Sequence, residues 1–144
     1  MNGPRGAKKG FTLVELFVVT GIFILTMALL APVAQFARAR ANKVNCATNL
    51  RKISLGLHGY AARNDDAFPP DLGSLYPDYV DDEKVFDCPA SKRLGSKMKP
   101  DYDYTPSLGV ASPPKAVVVR DADGNHGRSG ANILKVNGDV EWIR

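Results

Sequence analysis

The chain contains few of the residues from which catalytic and metal sites are usually built. Its 144 residues include two cysteines, two histidines and one tryptophan. With His58 and His126 far apart, the sequence shows no zinc-spaced cluster, no nucleophile elbow and no phosphate-binding loop. We therefore predict that the chain is not an enzyme. His126 lies near Asp121 and Asp123, but structural hydrogen bonding is favoured over acid–base chemistry.

Excess charge is scarce outside the first ten residues. The formal net charge is +4, and Arg5, Lys8 and Lys9 contribute three of its positive charges with no acid beside them. The remainder of the chain is close to neutral. Since a nucleic-acid-binding domain needs a basic face on its folded part, we predict no nucleic-acid partner.

Ionisable residues are absent altogether from residues 16–36. A helix of about 20 residues, rising about 1.5 Å per residue, spans the hydrocarbon core of a bilayer. The segment has no polar stripe wide enough for a soluble amphipathic helix. It predicts a single transmembrane helix. Glu15 is the one charge at its start, and a carboxylate is costly in a membrane, so we expect a compensating partner.

Two interpretations of the apolar segment predict different mature proteins. As an ordinary secretory signal it would be removed at an A-x-A site, and Ala37-Arg38-Ala39 and Ala39-Arg40-Ala41 have that shape. However, the segment is longer than the usual apolar region of about 7 to 15 residues, and each A-x-A site holds an arginine. A cut before the segment, which leaves the helix in the product, is favoured.

The start of the chain supports this second interpretation. Residues 8–16, Lys-Lys-Gly-Phe-Thr-Leu-Val-Glu-Leu, resemble the class III signal of type IV pilins and type II secretion pseudopilins, and the resemblance extends to about residue 30. It implies that prepilin peptidase cuts between Gly10 and Phe11 and N-methylates Phe11. Pro32 stands where the family tends to have a helix-bending proline, so we expect a kink there.

The resemblance also implies a location and a set of partners. The leader would lie in the cytoplasm, the single helix in the inner membrane, and the remainder in the periplasm or outside the cell. The partners would be other pilins or pseudopilins, an inner-membrane assembly platform and its ATPase. In a bundle of such helices, Glu15 of one subunit can pair with the new amine on Phe11 of another. Alternatively, Glu15 extends to the lipid headgroups.

The patterns predict an α+β, pilin-like fold with four segments. These are a cleaved basic leader, a transmembrane assembly helix, an amphipathic continuation of that helix and a small globular domain, at residues 1–10, 11–36, 37–62 and 63–144. The continuation carries an apolar stripe with spacings of four and three residues, formed by Cys46, Leu50, Ile53, Leu57 and Tyr60. One helix is expected over residues 12–62.

The C-terminal third predicts a small antiparallel sheet packed on this helix. Strands are expected at residues 116–120, 132–136 and 139–143, and Asn137-Gly138 predicts a hairpin with a type I′ turn. Before them, we expect a short helical turn within residues 72–80 and a brief strand at 85–88. From His126 onward the chain is similar to pilin-like proteins abundant in planctomycetes, whose turn is usually Asp-Gly and one residue closer to the histidine.

Two further sites are candidates. Cys46 and Cys88 could form a disulfide in an oxidising compartment, and two free buried thiols are the alternative. Asp121, Asp123 and Asn125 surround Gly124 with alternating oxygen side chains, which suits calcium. The resemblance adds that major pseudopilins hold calcium in a C-terminal loop. The segment lacks a twelve-residue loop with a closing glutamate, and ordinary turn chemistry is the alternative.

Together these features predict a filament subunit, and a type II secretion pseudopilin is favoured because the globular part is small and ends after a hairpin. A type IV pilus pilin is an alternative. Another is a membrane-anchored periplasmic binding module that does not polymerise. Such a module would have no need of Gly10 before Phe11 or of Glu15.

Overall fold

A computed structural model describes residues 10–127 and 129–144. Its longest element is one α-helix, α1, at Leu13–Ala61, with 49 residues. The prediction of a helix over residues 12–62 is confirmed to within one residue at each end. The chain divides into two compact units after Ala37, and each is described by itself. The long helix contributes to both units.

The first unit contains the apolar part of α1. One window of this helix is long and apolar enough to cross a membrane, and none of its residues is buried. Pro32 lies inside α1 without ending it. Because proline has no backbone N–H, the helical hydrogen bond to the carbonyl of Ala28 is lost at this point. The kink near Pro32 stays a prediction.

The second unit is built around the remainder of α1. Four members of the predicted stripe are buried in one core, namely Cys46, Leu50, Ile53 and Leu57, and Tyr60 packs against its edge. The same core contains Val118 and Leu134 of the sheet. The apolar stripe of the helix therefore faces the sheet, as the sequence predicts.

The sheet has four antiparallel strands in the order β1-β2-β3-β4. Their bounds are Tyr102–Tyr104, Val117–Asp121, Ala131–Lys135 and Val140–Ile143. The last three strands confirm the predictions to within one residue at each end, and β1 is an addition. With one long helix and one small antiparallel sheet, the fold is α+β and matches the pilin-like description.

Two short 3₁₀ helices precede the sheet. The first, at Leu72–Leu75, confirms the helical turn predicted there, and the side chain of Asp71 accepts a hydrogen bond from the backbone of Ser74. The second occupies Glu83–Phe86, so the strand predicted at residues 85–88 is wrong. The carboxylate of Asp82 accepts a hydrogen bond from the backbone of Lys84 at 3.0 Å, and this cap favours a turn over an extended strand.

The hairpin between β3 and β4 forms where predicted, but its turn differs. The backbone N–H of Gly138 donates to the carbonyl of Lys135 at 2.9 Å, so Val136 and Asn137 are the central residues. Gly138 has a φ of 88°, whereas Asn137 is not among the described non-glycine residues with positive φ. A type I′ turn needs positive φ at both central residues, so that prediction is wrong. Val136 is buried in the core, which holds the longer loop in place.

Candidate functional site

The peptide bond between Gly10 and Phe11 lies outside the helix. Both residues precede the first turn of α1, and 86 % of the Phe11 surface is exposed. Among the described residues other than its chain neighbours, none has an atom within 4 Å of the position that a Cβ on Gly10 would occupy. An exposed bond outside the helix, next to a bulky side chain, is one that a protease can reach.

Glu15 caps the start of its own helix. Its Oε2 atom accepts hydrogen bonds from the backbone N–H and the hydroxyl of Thr12, both at 2.8 Å. In return, the hydroxyl of Thr12 accepts a hydrogen bond from the backbone N–H of Glu15 at 3.2 Å. This reciprocal arrangement is a capping box. The Thr-x-x-Glu spacing at a helix start is its usual signal in a sequence, and it was not among the predicted features.

The threonine hydroxyls in the apolar part of α1 are paired within the helix. The hydroxyl of Thr20 donates to the carbonyl of Leu16 at 2.9 Å, and the hydroxyl of Thr26 donates to the carbonyl of Ile22 at 2.7 Å. Such bonds within the segment suit a lipid environment, where an unpaired polar group is costly. Glu15 is thus the one ionisable side chain of this helical segment before Arg38.

A second site lies in the core of the globular unit and was not predicted as a unit. It contains Cys46 from α1, Cys88 after the second 3₁₀ helix, Asp121 at the end of β2, and His126 in the turn that follows. The ligand atoms of these four side chains all lie within 4.8 Å of one another. We refer to these four residues as the Cys-Asp-His cluster.

The contacts inside the Cys-Asp-His cluster are close. The Sγ atom of Cys46 lies 2.7 Å from Oδ1 of Asp121. The other carboxylate oxygen of Asp121 lies 3.2 Å from Nε2 of His126, and that nitrogen lies 3.6 Å from Sγ of Cys88. The side chains of Asp121 and His126 are 1 % and 5 % exposed. Four groups that can bind a proton or a metal therefore share one buried space.

Neighbouring side chains hold the cluster in position. The backbone N–H and the side-chain amide of Asn132 donate to Oδ2 of Asp121 at 2.6 and 3.0 Å. The hydroxyl of Tyr102 lies 3.5 Å from the sulfur of Cys46. The ring of Trp142 packs edge-on against His126, with ring centroids 5.3 Å apart. The orientation of both the carboxylate and the imidazole is thus fixed by the sheet.

The two thiols titrate differently because they interact with each other. Hydrogen bonding to Cys88 raises the pKa of Cys46, and burial and the carboxylate of Asp121 act in the same direction. The same hydrogen bond lowers the pKa of Cys88, against the effect of burial. Burial also raises the pKa of Tyr102, followed by the charge of Cys46. The two thiols therefore belong to one interacting, buried pair.

The structure brings together Cys46 and Cys88, the two residues predicted as a disulfide, but both thiols are free in it. The three candidate calcium ligands are used differently. Asp121 belongs to the Cys-Asp-His cluster, and the side chain of Asn125 donates to the carbonyl of Asp101 at 2.7 Å. The carboxylate of Asp123 is 90 % exposed and contacts Arg120. Calcium binding stays a prediction.

The second histidine has a separate, local role. Nδ1 of His58 lies 2.8 Å from the carbonyl of Ser54 on the same helix, and its ring packs edge-on against Phe68. His58 is therefore no part of the Cys-Asp-His cluster, and it provides a matched comparison for His126.

Comparisons with known proteins give one short similarity. The chain is 39 % identical over 58 residues to prepilin peptidase-dependent protein A of Clostridium perfringens (strain 13 / Type A). The aligned part covers 38 % of this chain and 41 % of that protein, so the chain spans about two fifths of the length of this relative. No family model matches the chain. No solved structure matches it. The relative's name fits, at most, a pilin-like chain processed by prepilin peptidase.

Proposed function

We propose that this chain is a structural subunit of a pilus-like filament, processed by prepilin peptidase between Gly10 and Phe11. The observation that carries the proposal is the arrangement at the start of the chain. An exposed glycyl bond lies outside the helix, and an apolar helix with a single charge at its entrance follows it. The similarity to a protein named for its dependence on prepilin peptidase supports the same conclusion.

In this proposal each segment has one task. Residues 1–10 form a leader that is removed, and N-methylation follows on Phe11. Residues 11–36 hold the subunit in the inner membrane and then form the core of the filament. Residues 37–62 continue the helix, and residues 63–144 complete the globular domain in the periplasm or outside the cell. An assembly platform and its ATPase supply the work of extraction, so the chain itself needs no catalytic site.

The charge of Glu15 has a specific role in assembly. Removing the leader creates an ammonium group on Phe11, and an ammonium group within bundled apolar helices needs a counter-charge. We propose that Glu15 of a neighbouring subunit supplies it. The capping box is a competing explanation, because it gives Glu15 a purpose inside its own helix. An experiment must therefore separate charge from capping.

Two substitutions make that separation. Glu15→Gln removes the charge but keeps an oxygen that can accept the hydrogen bonds of Thr12, since glutamine also occurs in capping boxes. Thr12→Val removes the hydroxyl of the cap and keeps the charge. In cells that contain the assembly machinery, we expect both variants to be cleaved. Only Thr12→Val should appear in sheared filaments, while Glu15→Gln stays in the membrane fraction.

The outcomes are decisive in both directions. Normal amounts of Glu15→Gln in sheared filaments would contradict the charge pairing. Filaments that contain Glu15→Gln but lack Thr12→Val would show that the cap, and not the charge, is what assembly requires. As a processing control, Gly10→Val should retain the leader and run as the larger precursor, because a β-branched side chain would occupy the position beside the cut bond.

Among filaments, we favour a pseudopilin of a type II secretion system. The globular unit is small, with one four-stranded sheet and two short 3₁₀ helices among its described residues. A pilin of a type IV pilus is the alternative. Deleting the gene and measuring the release of secreted enzymes beside the number of surface pili separates them, since a pseudopilin is needed for the first and a pilus pilin for the second.

A further inference from the structure

We propose that the Cys-Asp-His cluster is a structural zinc site that ties α1 to the sheet of the globular unit. Its four residues come from four separate segments of the chain, between residues 46 and 126. No two ligands of the same residue type lie close together in the sequence. Their convergence on one buried space therefore results from the tertiary fold.

The donor set suits zinc. Two thiolates, one imidazole and one carboxylate offer sulfur, nitrogen and oxygen ligands, and four protein ligands without an open position are typical of structural zinc sites. Sulfur ligands disfavour calcium and magnesium, which prefer oxygen. The cluster has two sulfur ligands, and its four ligand atoms lie within 4.8 Å of one another. It therefore favours a soft or borderline metal such as zinc.

The distances are close to the edges of a zinc tetrahedron. With usual bond lengths, a sulfur and a nitrogen ligand lie about 3.6 Å apart, and a nitrogen and an oxygen ligand about 3.4 Å apart. The corresponding distances here are 3.6 Å from Cys88 to His126 and 3.2 Å from His126 to Asp121. The 3.2 Å contact involves Oδ2 of Asp121, whereas Cys46 lies 2.7 Å from the other carboxylate oxygen, Oδ1, so the second distance is not an edge of the same tetrahedron.

The surroundings match a metal site as well. Ligand carboxylates are usually held by further hydrogen bonds, and Asn132 donates two to Asp121. Two thiolates and one carboxylate place three negative charges against the two positive charges of zinc. The hydroxyl of Tyr102 beside Cys46 and the amide of Asn132 offset the excess. His126 also lines a surface pocket of about 720 Å³, which gives the metal a path of entry.

A disulfide explains less of this arrangement. It would use Cys46 and Cys88 alone and leave Asp121 and His126, which contact each other at 3.2 Å, outside the link. Zinc uses all four side chains, and binding releases the protons of both thiols while the imidazole stays neutral. The two states exclude each other, because a disulfide contains no thiolate. A small globular unit gains stability from either, and zinc links helix, loop, strand and turn at one point.

The test uses the full chain, purified in detergent, reduced and then loaded with zinc in the absence of oxygen. After removal of free metal, we expect one zinc per chain by elemental mass spectrometry. Both thiols should react slowly with an alkylating reagent until a chelator is added. Cobalt in place of zinc should give the thiolate-to-cobalt charge-transfer band and the intense visible bands of a tetrahedral site. Calcium should compete with neither metal.

Substitutions test whether these residues bind the metal. Cys88→Ala and His126→Asn should lose stoichiometric zinc, and His58→Asn should retain it as the matched histidine control. Asn132→Ala should keep a site whose affinity is about 10- to 100-fold lower. Circular dichroism reports whether each variant folds. Should Cys88→Ala fail to fold, thiol protection and a zinc-dependent rise in the melting temperature of the unaltered chain carry the test.

Several results would overturn the inference. These are a reduced chain that binds no zinc, thiols that react equally fast with and without zinc, and zinc retained equally by a folded His126→Asn variant. A disulfide between Cys46 and Cys88 that forms in the presence of excess zinc would do the same. None of these results bears on cleavage at Gly10 or on filament assembly, so the two proposals fail separately.

Discussion

Gly130 precedes β3, and its substitution by alanine tests the packing around His126. Its backbone φ is 129°, a conformation that residues with a side chain rarely adopt. A Cβ at this position would overlap the carbonyl oxygen of Ile143 and lie 2.9 Å from the ring of Trp142. The same Trp142 ring packs against His126. We expect Gly130→Ala to disturb both the β3–β4 pairing and the Cys-Asp-His cluster.

The loss of stability expected for Gly130→Ala has two separate contributions. A left-handed backbone with a side chain costs about 1 to 2 kcal/mol. Overpacking against Ile143 and Trp142 adds about 1 to 3 kcal/mol. Gly124→Ala isolates the first effect, because Gly124 also has a positive φ, of 90°, and its Cβ would lie more than 4 Å from the described residues other than its chain neighbours. The difference in unfolding free energy between the two variants therefore measures the cost of the clash with Ile143 and Trp142.

Thermal unfolding of the full chain in detergent measures this difference. Trp142 is the one tryptophan of the chain, so its fluorescence reports on β4 directly, and circular dichroism provides a second probe. Each kcal/mol corresponds to about 4 to 8 °C in a domain of this size. Gly130→Ala should melt clearly below Gly124→Ala. Equal melting temperatures would refute the packing described for Gly130, Trp142 and His126.

Two further substitutions test the globular unit. Gly56→Ala improves helix propensity by about 1 kcal/mol, but its Cβ would lie 2.9 Å from Val80. We therefore expect a lower urea midpoint for unfolding. A higher midpoint would contradict this packing. Burial raises the pKa of Tyr104, whose hydroxyl donates to the carbonyl of Pro69 at 2.7 Å, so the neutral phenol is the favoured form. Its stabilisation is complete below the unfolded pKa of about 10 and falls as the pH rises above it, so Tyr104→Phe should lose stability less steeply at alkaline pH. An unchanged slope would contradict that assignment.

Local sequence patterns predicted much of this fold. The helix bounds follow from an apolar segment and a stripe with spacings of four and three residues, and these signals act within α1 itself. The last three strands follow from β-branched residues and the turn at Gly138. In both cases the interactions that decide the structure lie between residues close in sequence.

The predictions are wrong where the hydrogen bond of a nearby side chain, or a contact with a residue distant in sequence, determines the local structure. The strand expected at residues 85–88 became a 3₁₀ helix because the carboxylate of Asp82 caps it. The turn shifted by one residue because Val136 is buried in the core. β1 is only three residues long and pairs with β2, and its short sequence carries no period of its own.

The Cys-Asp-His cluster could not be predicted from spacing. Within its own part of the chain, Asp121 suggests a calcium loop or an ordinary turn, and the two cysteines suggest a disulfide or two free buried thiols. Only the packing of α1 on the sheet brings Cys46 next to Asp121. The sequence signal that existed was the scarcity of cysteine and histidine, with three of those four residues used here.

The mass and N-terminal sequence of the mature chain, isolated from a host with prepilin peptidase, test the central claim most directly. The account predicts a chain that starts at Phe11 and carries one methyl group on its amine. A start at Asn42 would instead show an ordinary secretory signal, and a start at Met1 an uncut membrane anchor. Either of these two results would contradict processing between Gly10 and Phe11.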